Sequence, residues 1–272
     1  MSPAKNEIAP HLAKWIARAA ASAPPGSVPL LFLSGPQGSG KTTALAAAIQ
    51  SLPIPVIGAG IDDFYLPRAG RAALARDVSP LFAVRGPPGT HDLALLRQTI
   101  SDLRSAHAQS STPLSVFDKL SDERAPVSQW RRFKGRPGVI VIEGWLMGAL
   151  PDPGSLPRPP LNDIERAPLA EDWRRYQEQA LADDYAPLWD EADGFFHILP
   201  PDFACVLDWR LQQEAALWAA KDQTMPDDRR AWVARFIQHY ERLTRRMIGG
   251  GRRPGAELRI DAGRKVIVAP AS

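Results

Sequence analysis

The chain has 272 residues, 44% hydrophobic and 23% charged, which suits one large α/β domain with a substantial buried core. Lys plus Arg total 33 against 30 Asp plus Glu, so the net charge is only +3, too little to argue for a nucleic-acid partner. One cysteine, Cys205, excludes an intramolecular disulfide framework and a multi-cysteine metal site, and no apolar run approaches a membrane span.

Taken in order, Ile8 to Ala21 carries Leu12, Trp15, Ile16 and Ala19 at helical spacing, and Pro24, Pro25 and Gly26 end it. Residues 1–27 therefore read as an N-terminal helical extension. Lys5, Glu7, His11 and Lys14 break up any secretory apolar segment, so a cytoplasmic location is expected. Val28 to Leu33 is an apolar run suited to a buried strand. Gly35, Pro36, Gln37, Gly38, Ser39, Gly40, Lys41 and Thr42 follow, with Thr43 beyond, in the pattern G-x-x-x-x-G-K-T. Its glycines let backbone N–H groups curl around a phosphate without Cβ obstruction. Lys41 is placed to reach the β- and γ-phosphates of ATP, and the Thr42 hydroxyl to ligate Mg²⁺. Ala44 to Gln50 is a strong helix former, so the loop opens a helix whose N-terminus attracts anions.

A short strand through Ile54, Val56 and Ile57 runs into Ile61-Asp62-Asp63-Phe64-Tyr65. In a doubly wound sheet, ligands bind at such strand ends. Adjacent side chains cannot both aim at one point, so Asp62 and Asp63 have different tasks. The residues alone leave two readings open: a base beside a supporting carboxylate, or a solvated Asx turn. Residues 66 to 90 read as irregular. A helix through Leu93, Leu95, Leu96 and Ile100 starts at about Asp92, with Thr90 as its cap. A lone His91 is commonly a capping residue, but beside Arg85 and a helix start it is also placed to meet an anion.

Leu114, Val116 and Phe117 suggest a strand that ends in Asp118-Lys119, with Arg124 soon after. Pro137 to Glu143 reads as a buried parallel strand ending on a carboxylate, where a phosphate-loop enzyme holds or orients the Mg²⁺ shell. Residues 151–168 are a Pro-rich excursion. Leu169 to Trp189 is helical, and Phe195 to Leu199 and Phe203 to Trp209 give strand signals. Arg210 to Ala220 is a helix, Lys221 to Arg230 a charged break with Pro226, and Ala231 to Ile248 a second helix stopped by three glycines. Leu258 to Asp261 and Lys265 to Val268 look like a closing strand pair. Helix–break–helix over about residues 210–248 is where a lid would lie. Arg210, Lys221, Arg229 and Arg230 are its candidates to reach a transferring phosphoryl group, although composition equally allows a solvated basic turn.

The blocks GPQGSGKTT, IDDFY, RGPPGTHD, FDK with a following Arg, VIVIEGW and WRLQQE occur in that order between about residues 30 and 250. Together they resemble the D-glycerate 3-kinase family of plants and fungi and its bacterial relatives, within the uridine kinase and phosphoribulokinase group. The resemblance implies a P-loop NTPase-type three-layer α/β/α fold with a mostly parallel central sheet and a helical lid, as a single kinase domain over 1–272. It implies ATP-dependent phosphorylation of glycerate, with Mg²⁺ expected from the phosphate loop; charge and hydropathy give no reason to expect a nucleic-acid or membrane partner. The resemblance makes Asp62 the base, Glu143 the second-strand carboxylate and Arg210 a lid-side arginine; with the phosphate-loop motif, the expected catalytic residues are Asp62, Lys41 and Arg210 and the expected metal side Thr42 with Glu143. It also raises Arg85, His91, Asp118, Lys119 and Arg124 to substrate-pocket candidates. Plant and fungal members have a longer segment between the Asp-Lys pair and the next Arg, and that departure bears on the acceptor. The rivals are a kinase for a nucleoside or pantothenate, and a nucleotide-dependent switch or ATPase. Against a guanine-specific switch, Asn6 and Asn162 are the only asparagines, and neither begins an N-K-x-D element.

Overall fold

The computed structural model describes residues 6–220 and 222–267. Its central sheet contains β1 (Leu30–Ser34), β2 (Val56–Gly60), β7 (Val139–Gly144), β8 (Gly194–Leu199) and β9 (Ala256–Arg259), in the order β2-β7-β1-β8-β9. Every neighbouring pair is parallel. Parallel strands covered on both faces are apolar throughout, and Leu30 to Leu33 of β1 have no solvent exposure. Alternation sends Leu31 and Leu33 to one face and Leu30 and Phe32 to the other. The first pair packs with Leu12 and Ile16 of α1 (Ala9–Ser22) and Leu45 of α2 (Lys41–Gln50). The second packs with Leu96 and Ile100 of α4 (Leu93–Arg104), Trp189 of α6 (Ala186–Trp189) and Leu243 of α8 (Asp227–Ile248). The result is the three-layer α/β/α arrangement. Because the register sets Leu33, Glu143 and Gly60 abreast, the loops after β1, β7 and β2 all open at one edge.

Several local expectations need correction. Within 66–90 there is a helix, α3 (Arg68–Asp77), followed by a 3-10 turn at Pro80–Ala83. Its Ala, Leu and Arg are good helix formers behind Pro67, while Gly70 and its few apolar residues hide the periodicity. Asp92, not Thr90, caps α4, accepting the Leu95 N–H at 3.0 Å. The Thr90 hydroxyl instead closes its own loop, accepting from Gly86 N–H at 3.0 Å and donating to the Pro87 carbonyl at 2.7 Å. Phe203 to Trp209 is the start of α7 (Phe203–Ala219), capped by Asp202, which accepts the Cys205 N–H at 3.0 Å. Its buried residues Phe203, Val206 and Trp209 lie three apart, a helical rather than an alternating spacing.

The expected strand at Leu114–Phe117 is broken in two and lies outside the central sheet. β3 (Ser111–Leu114) pairs with β6 (Arg131–Lys134), and β4 (Phe117–Asp118) pairs with β5 (Glu123–Arg124), both antiparallel. The helix expected over 169–189 is α5 (Ala170–Ala180) joined to α6 by a π turn at Leu181–Tyr185. β9 joins β8 rather than forming a hairpin, and Ile260 and Val266 make one isolated antiparallel bridge. Val268 and Lys221 lie outside the described residues. α8 starts four residues before the expected Ala231, with Asp227 and Asp228 favourably placed in its first turn. Met225, in the charged break, is only 7% exposed, so part of that connection is packed.

Candidate active site at the strand ends

The phosphate loop joins β1 to α2. Gly38 and Gly40 take left-handed φ of +78° and +85°, and Gly40 is the residue from which α2 starts. Gly38 also backs onto α7, where a Cβ would come 2.5 Å from Trp209 Cβ. Lys41 and Thr42 thus open the helix at its positive end. The Thr42 hydroxyl donates to Glu143 Oε1 at 2.6 Å, and Lys41 Nζ lies 3.7 Å from Glu143 Oε2. Among the described residues there is no cluster of three His, Cys, Asp or Glu able to hold a metal alone. The oxygens of Thr42 and Glu143 beside a phosphate loop fit Mg²⁺, which takes one or two protein oxygens and completes its octahedron with water and phosphate.

After β2 a 3-10 turn at Ile61–Phe64 sends the two aspartates to different partners. Asp62 accepts from the Tyr65 hydroxyl at 2.7 Å and from Lys119 Nζ at 2.9 Å. Withdrawal from solvent opposes its charge, but Lys119, the Tyr65 hydroxyl and Lys41 outweigh this and hold its pKa near 2, so it is ionised. Asp63 accepts from Arg131 at 3.1 Å and from Phe117 N–H at 3.4 Å. Desolvation dominates there and raises its pKa, with Arg131 opposing.

The RGPPGTHD loop is fixed from several sides. The Tyr240 hydroxyl donates to the Arg85 carbonyl at 2.8 Å, and Trp145 Nε1 donates to the Gly86 carbonyl at 3.1 Å. Gly86, at φ +116°, lies against the Tyr240 ring where a Cβ would clash. The Arg85 guanidinium pairs with Asp122, which also accepts from buried Arg71 at 2.8 Å. Arg71 additionally donates to the Asp122 carbonyl at 2.7 Å, tying the turn that carries Lys119 to α3.

A cleft of about 1100 Å³ opens over these loops. Lys41, Arg85, Lys119, Arg131, Arg210 and Arg229 line it, against the carboxylates Asp62, Asp63, Glu143 and Glu214. Six cations against four anions leave a surplus of two positive charges for anionic ligands. Gln37, Gly38 and Thr42 line it too, so it contains the mouth of the phosphate loop.

Three residues expected in the substrate pocket do not line the cleft: His91 and Arg124 stand behind its wall, and Asp118 is exposed at the β4–β5 turn. His91 is 6% exposed, its Nδ1 2.6 Å from the Tyr185 hydroxyl and its ring stacked 4.8 Å from that of Tyr65. Burial lowers its pKa to about 4. Arg124 donates to Asp92 at 2.8 Å and to the Tyr65 carbonyl at 2.9 Å, joining the β2 end to the α4 cap. Asp118 accepts from Leu120 N–H at 2.9 Å and the Ser121 hydroxyl at 2.6 Å, shaping the β4–β5 turn. Sequence reasoning missed Arg131, Glu214, Trp145 and Tyr240 as cleft residues. Trp145 and Glu214 carried a signal as the last residues of the blocks VIVIEGW and WRLQQE, and Glu214 also as an acidic residue four positions after Arg210 on one helix face.

No family model matches the chain. It is 29% identical to an uncharacterized kinase of Schizosaccharomyces pombe over 231 residues, covering 80% of each chain. It is 31% identical to the chloroplastic D-glycerate 3-kinase of Arabidopsis thaliana over 228 residues, which is 78% of this chain but 47% of the plant protein. The chain thus matches about half the length of that relative. In structure it is similar to D-glycerate 3-kinase from Cryptococcus neoformans, with TM-score 0.78, 24% identity and coverage of 96% of this chain and 98% of the other.

Proposed function

We propose that this chain, which is similar to kinases including a D-glycerate 3-kinase, moves the γ-phosphoryl group of ATP onto a hydroxyl of D-glycerate, giving 3-phosphoglycerate. The observation that carries this reading is an ionised Asp62 in the same cleft as Lys41, Thr42 and Glu143, with two cations in surplus.

Lys41 and the loop N–H groups hold the β- and γ-phosphates. Thr42 and Glu143 would hold Mg²⁺, which neutralises charge on the β- and γ-oxygens when bound. Asp62 accepts the proton of the acceptor hydroxyl as that oxygen bonds to the γ-phosphorus and the bond to the β-γ bridging oxygen breaks. A pKa near 2 makes Asp62 a weak base. Phosphoryl transfer through a loose transition state asks it to orient the hydroxyl more than to pull the proton. Lys119, beside Asp62, and Arg85, in the same cleft, match the acceptor's carboxylate. Arg210 faces the same space from α7, the helix that would belong to a lid.

The rings of Trp145 and Tyr240 also line the cleft, but their polar tips are spent on the RGPPGTHD loop. Their faces, with those of Tyr65, Trp218 and Phe236, remain able to stack, so the preference for a small anion rests on the surplus of cations. The test is ATP consumption with D-glycerate, glycerol, a nucleoside and pantothenate, with products identified by NMR. D-Glycerate is expected to be turned over far faster than glycerol, which leaves the cations unpaired. Equal turnover of glycerol or of a neutral nucleoside refutes the acceptor.

A further inference from the structure

Glu214 is a carboxylate that the proposed chemistry does not use, yet it is only 4% exposed and lies in the wall of the cleft. A buried charge is retained where it is paired, and Glu214 is paired twice. Its Oε2 lies 3.1 Å from Arg210, one turn earlier on α7. Its Oε1 accepts a 2.7 Å hydrogen bond from Nε of Arg229, in the first turn of α8. The three charges sum to +1 and all three residues face the cleft that contains Lys41 and Gln37.

Arg229 is fixed on a second side. Its guanidinium carbon sits 4.0 Å above the Trp232 ring, and Trp232 is stacked 4.9 Å from Phe236 at 14°. This gives a use to Trp232, which is 45% exposed, unusually open for so large a ring. The guanidinium plane is set by the ring beneath, and its direction by the bond through Nε. Two arginines on one side of a cleft repel each other and would swing apart into solvent without an anion between them.

We propose that Glu214 is a positioning residue that holds Arg210 and Arg229 as a preset pair for the terminal phosphate of the nucleotide, with Arg229 the second cation of the site. The carboxylate uses Nε of Arg229, so that guanidinium keeps its outer edge for a phosphate oxygen. Because the pair is assembled before the ligand arrives, little reorganisation is needed when charge builds on the equatorial oxygens. The inference rests on the kinase reading but not on which acceptor is phosphorylated.

The experiment compares ADP with the β,γ-imido analogue of ATP, both with Mg²⁺ and without acceptor, by calorimetry. The wild-type protein is expected to bind the analogue more tightly than ADP. Glu214→Gln is expected to leave ADP affinity within about twofold and to weaken the analogue by about tenfold, the size of one misplaced charge-assisted contact. Arg229→Gln should lose the same increment, and the double variant should lose less than the product of the two, because Glu214 acts through Arg229. Should Glu214→Gln melt below the assay temperature, Glu214→Asp, which keeps the charge and shortens the reach, makes the same comparison. An unchanged ratio of the two affinities, or losses that simply multiply, overturns the proposal. Failure to phosphorylate glycerate would refute the acceptor and leave this result untouched, whereas failure of the wild type to bind either nucleotide would overturn both.

Discussion

Acidification should destabilise this protein through His91, by an amount that follows from its surroundings. The ring is 6% exposed, between Tyr65 and Tyr185, and among the described residues no hydrogen-bond partner reaches its Nε2. Charging it would bury a cation with an unpaired N–H, and burial accordingly lowers its pKa to about 4, with the Asp62 charge opposing weakly. An unfolded histidine titrates at about 6.5. The unfolded chain therefore binds the proton first, so the stabilising contribution is full above pH about 6.5 and is lost as pH falls toward 4. The total is roughly 3 kcal/mol, with about 2 kcal/mol gone by pH 5. Urea unfolding of wild type and His91→Asn at pH 7, 6 and 5 measures it. The variant keeps a polar group near the Tyr185 hydroxyl but cannot titrate. His197, also lowered to about 4, is present in both proteins and cancels in the comparison. The stability gap between the proteins should narrow by about 2 kcal/mol between pH 7 and pH 5. Parallel curves would show that His91 is not held neutral by burial, and the reasoning fails.

The other predictions concern turnover and can be read with purified variants. Lys41→Ala should nearly abolish phosphorylation while the far-ultraviolet circular dichroism stays unchanged, because Lys41 offsets phosphate charge rather than filling core; near-wild-type rates in a folded variant contradict it. Asp62→Asn should reduce kcat by roughly 10² to 10⁴ with the KM for ATP little changed, and Asp63→Asn should cost less, since Asp63 is occupied with Arg131 and the Phe117 backbone. A reversed order of severity in steady-state kinetics would assign the base to the other carboxylate. Arg85→Lys should raise the KM for D-glycerate and leave that for ATP alone. Arg124→Lys should instead lower the melting temperature, because Arg124 joins Asp92 to the Tyr65 carbonyl behind the cleft wall; an acceptor-KM effect at unchanged stability would place Arg124 in the pocket after all.

What the sequence made legible is what local chemistry dictates. The glycine spacing before Lys41, the apolar run ending on Glu143 and the strand that runs into Asp62 each carry their reason within a few residues. The parallel sheet then brings those ends together by register. What stayed hidden depends on partners far along the chain. Arg131 reaches Asp63 only because β6 pairs with β3 instead of joining the central sheet. Asp92 outcompetes Thr90 as a cap because the Thr90 hydroxyl is already spent on its own loop. The start of α7 looked like a strand because its apolar residues are dense, and dense apolar runs do not reveal their period. His91 and Arg124 stand among cations and glycines in sequence, which suggests a binding loop. The burial of His91 against the Tyr65 ring and the bond from Arg124 to the Tyr65 carbonyl, invisible in that pattern, place both behind Tyr65.

The ion pairs of the cleft are unequal, and that inequality indicates which of them exchange for ligand. Lys119 and Asp62 meet with side chains 56% and 38% exposed. Such a half-exposed pair is screened by solvent and parts more readily than a buried one, so an incoming carboxylate can compete with Asp62 for Lys119. Losing that partner weakens the main influence that holds the Asp62 pKa near 2, so an anionic acceptor would raise the basicity of the carboxylate proposed to receive its proton. A neutral alcohol has no charge with which to compete for Lys119 and would leave Asp62 clamped. Glu214 is different: its side chain is 5% exposed and it holds two arginines, so parting from them would strand a buried charge. On the proposed reading, the acceptor side of the cleft would rearrange when the correct anion arrives, while the cations proposed to face the nucleotide would stay.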